Sequence, residues 1–262
     1  MNSPIQTASE FRRGCLQRWL DLTRQFPDGA PQRLPGGKWS VSYALALPSP
    51  PAPIPLADLR AVLKRAQGSE TGWPPFMVAE REDIKPKVVG GIIQCSFAEA
   101  RFDDPSSSDF WSASPTGEFF VMRGYQEDSK RDFEPRTVFD LTIPIWRLGE
   151  VLLHAARVAK FLLQPNAVVG VVAHWDGLDG RVLRPWANPN RVLFQKRMCE
   201  DTRYEVSFAT NPAEIERNLS ELLQRHLADL YARFDFFVPP PALFAEEVAQ
   251  LRADKKFARL HG

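Results

Sequence analysis

The sequence predicts an α+β fold, with a mainly antiparallel sheet, two long helices packed on one face of it, and further helices near the N- and C-terminal ends. Two observations predict this class: apolar strand-like runs follow one another without regular helix–strand alternation, and two long amphipathic segments interrupt them. The 262 residues, 44% hydrophobic and 25% charged, are typical of a globular chain with a sizeable core. We expect residues 1–66 to pack on or lead into a main domain of residues 67–262, or residues 1–262 to form one continuous domain.

The N-terminal unit is expected to contain a helix, a strand and a second helix. Residues 9–26 predict the first helix, since Phe11, Cys15 and Trp19 recur at four-residue steps and Ser9 is a suitable N-cap. Periodicity predicts the next two elements: a strand over 39–47 and a helix over 56–66.

Five apolar runs rich in β-branched and aromatic residues predict strands in the rest of the chain. They lie at residues 88–97, 117–125, 137–143, 168–175 and 204–210. The sequence DGLDG at 176–180 is strong turn chemistry, so we expect it to join the strand 168–175 to a short strand near residues 182–183 in a hairpin.

Two long segments show broad apolar faces at helical spacing, over residues 144–163 and 212–234. Asn211 is expected to cap the second of these helices, with Pro212 at its first position. A final helix is expected over residues 243–251.

Composition excludes several functional classes. Thirty-three Lys and Arg against thirty-two Asp and Glu leave a net charge of +1, so the chain as a whole is not a basic nucleic-acid binder, although a local basic patch is compatible with this balance. Three dispersed cysteines form no disulfide framework, which favours the reducing cytoplasm. No apolar run suits a membrane span or a signal peptide, so we expect no contact with membranes.

Catalytic signatures are absent from the sequence. It contains no P-loop, no GxGxxG after a strand, no GxSxG elbow and no HExxH, and its His and Cys residues lack the spacing of zinc ligands. We therefore expect no metal, no cofactor and no catalytic residue. One exception is an acid-x-Lys arrangement at Asp83 and Lys85, which fits a metal-dependent nuclease if a second acid lies nearby, and otherwise fits a solvated charged loop.

Four polar residues of the first long helix share one stripe. Arg147, Glu150, His154 and Arg157 step by three, four and three residues. Because most of this helix is apolar, we expect Glu150 to be buried among the other three, where a carboxylate must be paired. Two interpretations stay open: a salt-bridge network that clamps the helix to the sheet, or a pocket in which both arginines bind an anionic or nucleotide-like ligand.

Residues 175–197 form a locally basic stretch with interleaved aromatic side chains. Its candidate nucleic-acid contacts are Trp175, Arg181, Arg184, Arg191, Lys196 and Arg197. In such a stretch the aromatic rings stack on bases and the cations contact phosphates. The same pattern is compatible with a solvated hairpin whose aromatic residues belong to the core.

Several segments of the chain resemble one group of bacterial proteins. They are TGW at 71–73, DFW at 109–111, RGYQEDS at 123–129, FDLTIPIWRLGEVLLHAARVA at 139–159, HWDGLDGR at 174–181 and FDFF at 234–237. Over about residues 10–250 they resemble the C-terminal region that follows an AlbA_2-type (Schlafen-like, divergent AAA-4) domain, to which DNA binding is attributed. We expect that domain to be missing here, because the first predicted helix begins almost at once, so its DNA binding is not carried over.

The resemblance implies a non-enzymatic accessory module of a bacterial regulatory or phage-defence system, which serves as a sensor, an oligomerisation unit or a docking unit. Its partner would be another protein or a second copy of the chain, and nucleic acid would be reached through that partner or through the basic segment. A nucleic-acid-binding protein and a metal-dependent nuclease are the alternative functions.

Overall fold

The computed structural model describes residues 2–46, 52–68, 70–100, 106, 108–162, 164 and 166–253. In this part of the chain the helices are α1 (Pro4–Thr23), α2 (Leu56–Ala66), α3 (Ile143–Phe161), α4 (Pro212–Arg217), α5 (Leu219–Ala232) and α6 (Pro241–Arg252). The strands are β1 (Lys38–Ala46), β2 (Lys87–Val89), β3 (Ile92–Ser96), β4 (Phe110–Ala113), β5 (Glu118–Gly124), β6 (Val138–Asp140), β7 (Val168–Asp176), β8 (Val182–Arg184) and β9 (Arg203–Thr210). None of these helices is both long and apolar enough to cross a membrane.

The main sheet has seven strands in the order β2-β3-β4-β5-β1-β7-β9, and each neighbouring pair is antiparallel. Helices pack against it, including α1 near the N-terminus and α6 near the C-terminus, so the predicted α+β class is confirmed. The strand β1 lies in the middle, between β5 and β7. The segment 1–66 therefore supplies the central strand of the sheet.

Alternation along β1 separates the two faces of the sheet. Trp39, Val41 and Tyr43 belong to the main apolar core, whereas Ser40 and Ser42 lie on the other face. Apolar residues of α2, α3, α4, α5 and α6 complete this core. The two long helical segments of the sequence therefore pack on one face of the sheet.

Helix α1 covers the opposite face. Its Cys15 and Trp19 pack with aromatic residues of β4 and β5 in a second apolar cluster. The Ser3 hydroxyl accepts a hydrogen bond from the Gln6 N–H (3.2 Å), and the Gln6 side chain accepts one from the Ser3 N–H (2.9 Å). This capping box begins the helix at Pro4, so the predicted N-cap at Ser9 is wrong.

The predicted strand over 88–97 is two strands, β2 and β3, joined by Gly90 and Gly91. Both glycines have positive φ (57° and 77°), a backbone conformation that the tight turn requires and other residues rarely adopt. The sequence prediction also missed β4, because its four residues are too few to show a clear alternation.

The strands β6 and β8 pair with each other in parallel, apart from the main sheet. The predicted hairpin across 176–180 is therefore wrong, since β8 does not pair with β7. The turn itself is present, and Gly177 and Gly180 have positive φ (76° and 75°). The chain then turns inward, because the buried side chain of Arg181 is bonded to Asp128.

The second predicted long helix is broken into α4 and α5 at Asn218. This residue has φ −125° and ψ 36°, outside the helical region, which asparagine adopts readily because its side chain competes with helical hydrogen bonds. The predicted cap at Asn211 is confirmed, since its side-chain oxygen accepts from the Glu214 N–H (2.9 Å). Residues 47 and 163, the predicted ends of a strand and of the first long helix, lie outside the described residues.

Candidate functional site

The four polar residues on the stripe of α3 are divided among separate contacts. Arg147 and Glu150 form a buried ion pair, with 2.7 Å between Nη1 and Oε2. The other carboxylate oxygen of Glu150 accepts hydrogen bonds from the N–H (3.1 Å) and the hydroxyl (2.5 Å) of Thr71. Both oxygens of this carboxylate are thus occupied by the protein itself.

His154 instead contacts Tyr43 of β1. Its Nδ1 lies 2.9 Å from the Tyr43 hydroxyl, and its ring stacks on Phe76 with 4.3 Å between centroids. The pKa of His154 is lowered to about 3, because burial desolvates the charged imidazolium and Arg157 repels it. The imidazole is therefore neutral near pH 7 and packs as part of the core.

Arg157 lies at the surface end of the stripe, where it forms an ion pair with Glu70 and remains 34% exposed. It lines a cavity of about 420 Å³ together with Gln67, Leu153 and Arg252. Arg147 lines a different and much smaller cavity, together with Trp39, Glu127 and Trp175. The stripe therefore consists of three separate pairings.

A second buried ion pair, between Asp109 and Arg123, lies beside the first. Arg123 Nη1 and Arg147 Nη1 both donate to the Trp73 carbonyl, at 3.2 and 3.4 Å. Arg123 Nε and Trp73 Nε1 both donate to Asp109 Oδ2, at 2.7 Å. Burial raises the pKa of Asp109, and Arg123 partly offsets this rise. Sequence reasoning missed this pair, although Asp109 and Arg123 lie in the segments DFW and RGYQEDS, and Trp73, which bonds Asp109, lies in TGW.

A third buried ion pair joins Arg181 to Asp128. Two hydrogen bonds connect them, Nη1 to Oδ1 at 2.9 Å and Nη2 to Oδ2 at 2.7 Å. The Arg181 guanidinium also donates to the backbone carbonyls of Gly36, Val138 and Gly177. Its side chain is 0% exposed, so Arg181 connects three segments of the interior and does not reach a nucleic acid at the surface.

Two further carboxylates, Glu127 and Asp140, are buried near Arg181. Glu127 Oε1 accepts from the Asp140 N–H (2.6 Å), and Asp140 Oδ1 accepts from the Ile143 N–H (2.8 Å) at the start of α3. The other Asp140 oxygen accepts from the Ala187 N–H (2.7 Å). Burial and the neighbouring Asp140 raise the pKa of Glu127 to about 7, and burial raises the pKa of Asp140 to about 6.

The predicted nucleic-acid contacts do not share one surface. Trp175 is 3% exposed and packs in the main core, so it is not available to stack on a base. Arg191 is paired with two carboxylates of α6, Glu246 (2.6 Å) and Glu247 (2.7 Å). The other three predicted contacts outside the core reach solvent: Arg184, Lys196 and Arg197.

Exposed apolar side chains lie on two adjoining segments, 192–198 and 236–238, which Arg197 connects through its contacts with Asp235 and Phe237. We call them the aromatic surface: Val192, Phe194, Met198, Phe236 and Val238, with exposed fractions of 68, 96, 41, 89 and 79%. A cavity of about 680 Å³ lies beside Val192 and Phe194, and its apolar lining includes Leu141, Leu193 and Leu243.

Two consecutive left-handed residues hold Phe236 in solvent. Asp235 and Phe236 have φ of 49° and 54°, a conformation that costs a non-glycine residue about 1–2 kcal/mol. The Asp235 carboxylate accepts from the Met198 N–H (2.7 Å), and its carbonyl accepts from Arg197 Nη1 (3.0 Å). Strained backbone that surrounding contacts maintain is typical of functional sites.

Sequence reasoning missed the aromatic surface. Two local signals pointed to parts of it: Phe194 lies in the basic, aromatic stretch 175–197, and the segment FDFF at 234–237 places two aromatic residues beyond the end of the predicted helix. Exposure of these rings depends on tertiary packing, which periodicity does not report.

The acid-x-Lys arrangement lies on a charged loop. Asp83 is paired with Arg81 (2.6 Å) and Lys85 with Glu82 (2.8 Å). In the described part of the chain, no group of three or more His, Cys, Asp or Glu side chains is placed to hold a metal ion. The structure thus places Asp83 and Lys85 against charges of their own loop.

A scan against protein-family models, a search of curated proteins and a search of solved structures found no match to this chain. The proposed function therefore depends mainly on the chain's own residues and contacts.

Proposed function

We propose that this chain is a non-enzymatic docking module that binds a partner protein through the aromatic surface. Among the described residues nine large apolar side chains are exposed, and five of them belong to this surface. The other four lie on α1, β2 and β7: Leu20, Val88, Val89 and Val168. Exposed apolar side chains are ordinarily scattered, and a cluster of them beside a cavity marks an interaction site.

Phe194 and Phe236 suit the binding of a protein. Aromatic side chains are enriched among the residues that dominate binding energy at protein interfaces. The two rings are 96% and 89% exposed, so a partner that covers them removes a large apolar area from water. The left-handed backbone at Phe236 supports this role, because it keeps the ring out of the core.

The buried charged residues have a structural role in this proposal. The pairs Arg147–Glu150 and Arg181–Asp128 satisfy each other inside the fold. Asp140 bonds the Ala187 N–H, shortly before the segment that contains Val192 and Phe194. These contacts fix the framework from which the aromatic surface projects.

We place the module in the cytoplasm of a bacterium, in a regulatory or phage-defence system. The cysteines Cys15, Cys95 and Cys199 are free and buried, as expected in a reducing compartment. The resemblance to proteins with an AlbA_2-type domain supplies the bacterial context, and nucleic acid would be reached through the partner protein.

Affinity capture with matched variants tests this function. The tagged full-length chain, a Phe194→Ser/Phe236→Asn double variant and a Val88→Ser control are incubated with a lysate of the source organism, and captured proteins are quantified by mass spectrometry. Asparagine at 236 tolerates the left-handed backbone, and Val88 is 59% exposed on the edge strand β2. The Val88→Ser control should melt at the same temperature as the wild type, and the double variant at the same or a slightly higher temperature, because the substituted side chains are exposed and asparagine relieves the left-handed backbone at 236.

We expect a protein that the wild type and the Val88→Ser control retain and that the double variant loses by about tenfold. The same protein, once purified, should bind the wild type and not the double variant in isothermal titration calorimetry. Equal capture of every protein by all three chains would contradict the proposal.

A further inference from the structure

We infer that the partner segment is an acidic peptide with an aromatic or branched aliphatic side chain, which enters the cavity beside Phe194 while its carboxylates contact Arg184, Lys196 and Arg197. This inference rests on the proposed docking function and specifies the chemistry of the partner.

Arg197 is fixed in place and has no carboxylate partner in the described part of the chain. Its Nη1 donates to the Asp235 carbonyl (3.0 Å) and its Nη2 to the Gln195 side-chain oxygen (2.9 Å). Its guanidinium carbon lies 5.0 Å from the centre of the Phe237 ring. These contacts orient the Arg197 guanidinium through neutral acceptors and a ring, and none of them neutralises its positive charge. The guanidinium is therefore placed to bind an anionic group of a partner.

Arg184 and Lys196 are two more exposed cations on the neighbouring segments of the chain. Val182 forms an antiparallel bridge with Met198, a register that places residue 184 opposite residue 196. Like charges that face each other across two extended segments destabilise the pairing. A carboxylate that binds between them would remove this repulsion.

Other cations of this region are neutralised within the chain. Arg191, which lines the same cavity, contacts both Glu246 and Glu247. Arg233 is paired with Asp201 at 2.8 Å. Arg184, Lys196 and Arg197 differ from these two arginines. Among the described residues no carboxylate lies within salt-bridge distance of them, so their positive charge is not neutralised within the described chain.

A peptide fits this surface better than a nucleic acid does. Duplex-binding proteins commonly use about six to ten phosphate contacts, whereas three cations are available here. Bases stack on aromatic rings, and only two of the five exposed apolar side chains, Phe194 and Phe236, carry one. A peptide with alternating acidic and apolar side chains would satisfy both the cations and the apolar cavity.

Selection from a random peptide library tests the inference. Phage-displayed peptides of about twelve residues are panned on the full-length chain, and the best binder is measured by fluorescence anisotropy at low and high salt. We expect selected peptides to be enriched in Asp and Glu together with Phe, Trp, Leu or Ile, and to bind several-fold more weakly at high salt.

Charge variants give the decisive comparison. Arg197→Gln retains a donor for the Asp235 carbonyl and should weaken the best peptide about tenfold. Arg24→Gln, at an arginine that is 79% exposed beyond the end of α1, should weaken it less than twofold. Arg197→Glu should recover binding when a Glu of the peptide is replaced by Arg.

The outcomes separate this inference from the function on which it rests. Peptides that need Phe194 but show no excess of acid, or that bind Arg197→Gln as tightly as wild type, overturn the inference and leave the docking function standing. Peptides unaffected by Phe194→Ser count against the docking function itself. The inference is also overturned if no peptide is recovered. It is overturned as well if the chain instead binds a single-stranded oligonucleotide through Arg197 and Lys196.

Discussion

The hydroxyl of Tyr43, on the central strand β1, and Nδ1 of His154, on α3, lie 2.9 Å apart in a buried hydrogen bond. Tyr43 also stacks on Phe119, and His154 stacks on Phe76. The bond therefore joins the middle of the sheet to the helix packed on it, inside an aromatic cluster. Because this environment requires an uncharged imidazole, it makes stability depend on pH.

His154→Phe is expected to lower the free energy of unfolding by about 1–3 kcal/mol at pH 7, because it leaves the buried Tyr43 hydroxyl without its partner. The pKa of His154 is about 3 when folded, against an ordinary 6.5. Between these values the unfolded wild type binds a proton that the folded form does not, so wild-type stability is lost as pH falls below 6.5. Between pH 7 and about pH 4.5 the wild type should lose about 2–3 kcal/mol more stability than His154→Phe does. Urea unfolding at the two pH values measures this difference.

Tyr43→Phe is the matched control, because it removes the same hydrogen bond and keeps the titrating imidazole. Its deficit relative to wild type should stay nearly constant between about pH 7 and 4.5. If the His154→Phe deficit is equally constant, His154 is not held neutral in the folded state.

Glu150→Ala is expected to lower the free energy of unfolding by about 3–5 kcal/mol, since it leaves the buried Arg147 guanidinium without its counter-ion. Glu70→Ala is the control: it frees Arg157, whose side chain is 34% exposed, and should cost only about 0–1 kcal/mol. Denaturant unfolding followed by tryptophan fluorescence measures both. A Glu150→Ala free energy of unfolding within about 0.5 kcal/mol of wild type would refute the buried-network interpretation and favour a ligand pocket.

Glu127→Gln is expected to stabilise the chain by about 1–3 kcal/mol at pH 8 and to have little effect near pH 5. The pKa of Glu127 is about 7, raised from 4.5 by burial and by Asp140, so the folded state binds the proton more tightly and wild-type stability falls as pH rises from 4.5 to 7. Glutamine removes the buried charge and keeps the oxygen that accepts from the Asp140 N–H. Thermal unfolding at both pH values measures the effect.

Glu134→Gln is the control for this change, because Glu134 is exposed, and it should alter stability by less than about 0.5 kcal/mol at both pH values. Lower stability of Glu127→Gln at pH 8 would show that the ionised carboxylate is needed for its attraction to Arg181.

Local patterns predicted most of the helices and longer strands. Helical spacing predicted α2 and α3 to within two residues at each end, and apolar runs predicted β5, β7 and β9, because these elements bury a face whose period is visible in the sequence. The pairing of β8 could not be predicted in this way. This strand pairs with β6, more than 40 positions earlier in the chain, and the bond from Arg181 to Asp128 accompanies this long-range contact.

The candidate site was less accessible to sequence reasoning. Arg147 and Glu150 are paired because side chains three positions apart are neighbours on a helix. The pair of Asp109 and Arg123 depends instead on the register between β4 and β5, which no local spacing encodes. Exposure of Phe236 follows from a backbone conformation that its residue type does not favour.

Phe236→Asn is expected to raise the free energy of unfolding by about 0.5–1 kcal/mol, because asparagine tolerates the left-handed backbone better than phenylalanine does. The ring is 89% exposed, so its removal loses little buried area in the free chain. The same variant should bind the partner protein more weakly, because it lacks the exposed ring that contacts the partner. Strained backbone at a functional site costs stability, so a change that relieves the strain is expected to weaken function. Urea unfolding and the capture assay, on the same preparation, measure the two effects.

Phe194→Asn separates these two effects. Phe194 is 96% exposed and lies outside the left-handed region, so its replacement should weaken partner binding without any gain in stability. If Phe236→Asn stabilises the chain and leaves binding unchanged, the strained loop does not serve docking, and the aromatic surface is then restricted to Val192, Phe194 and the cavity beside them.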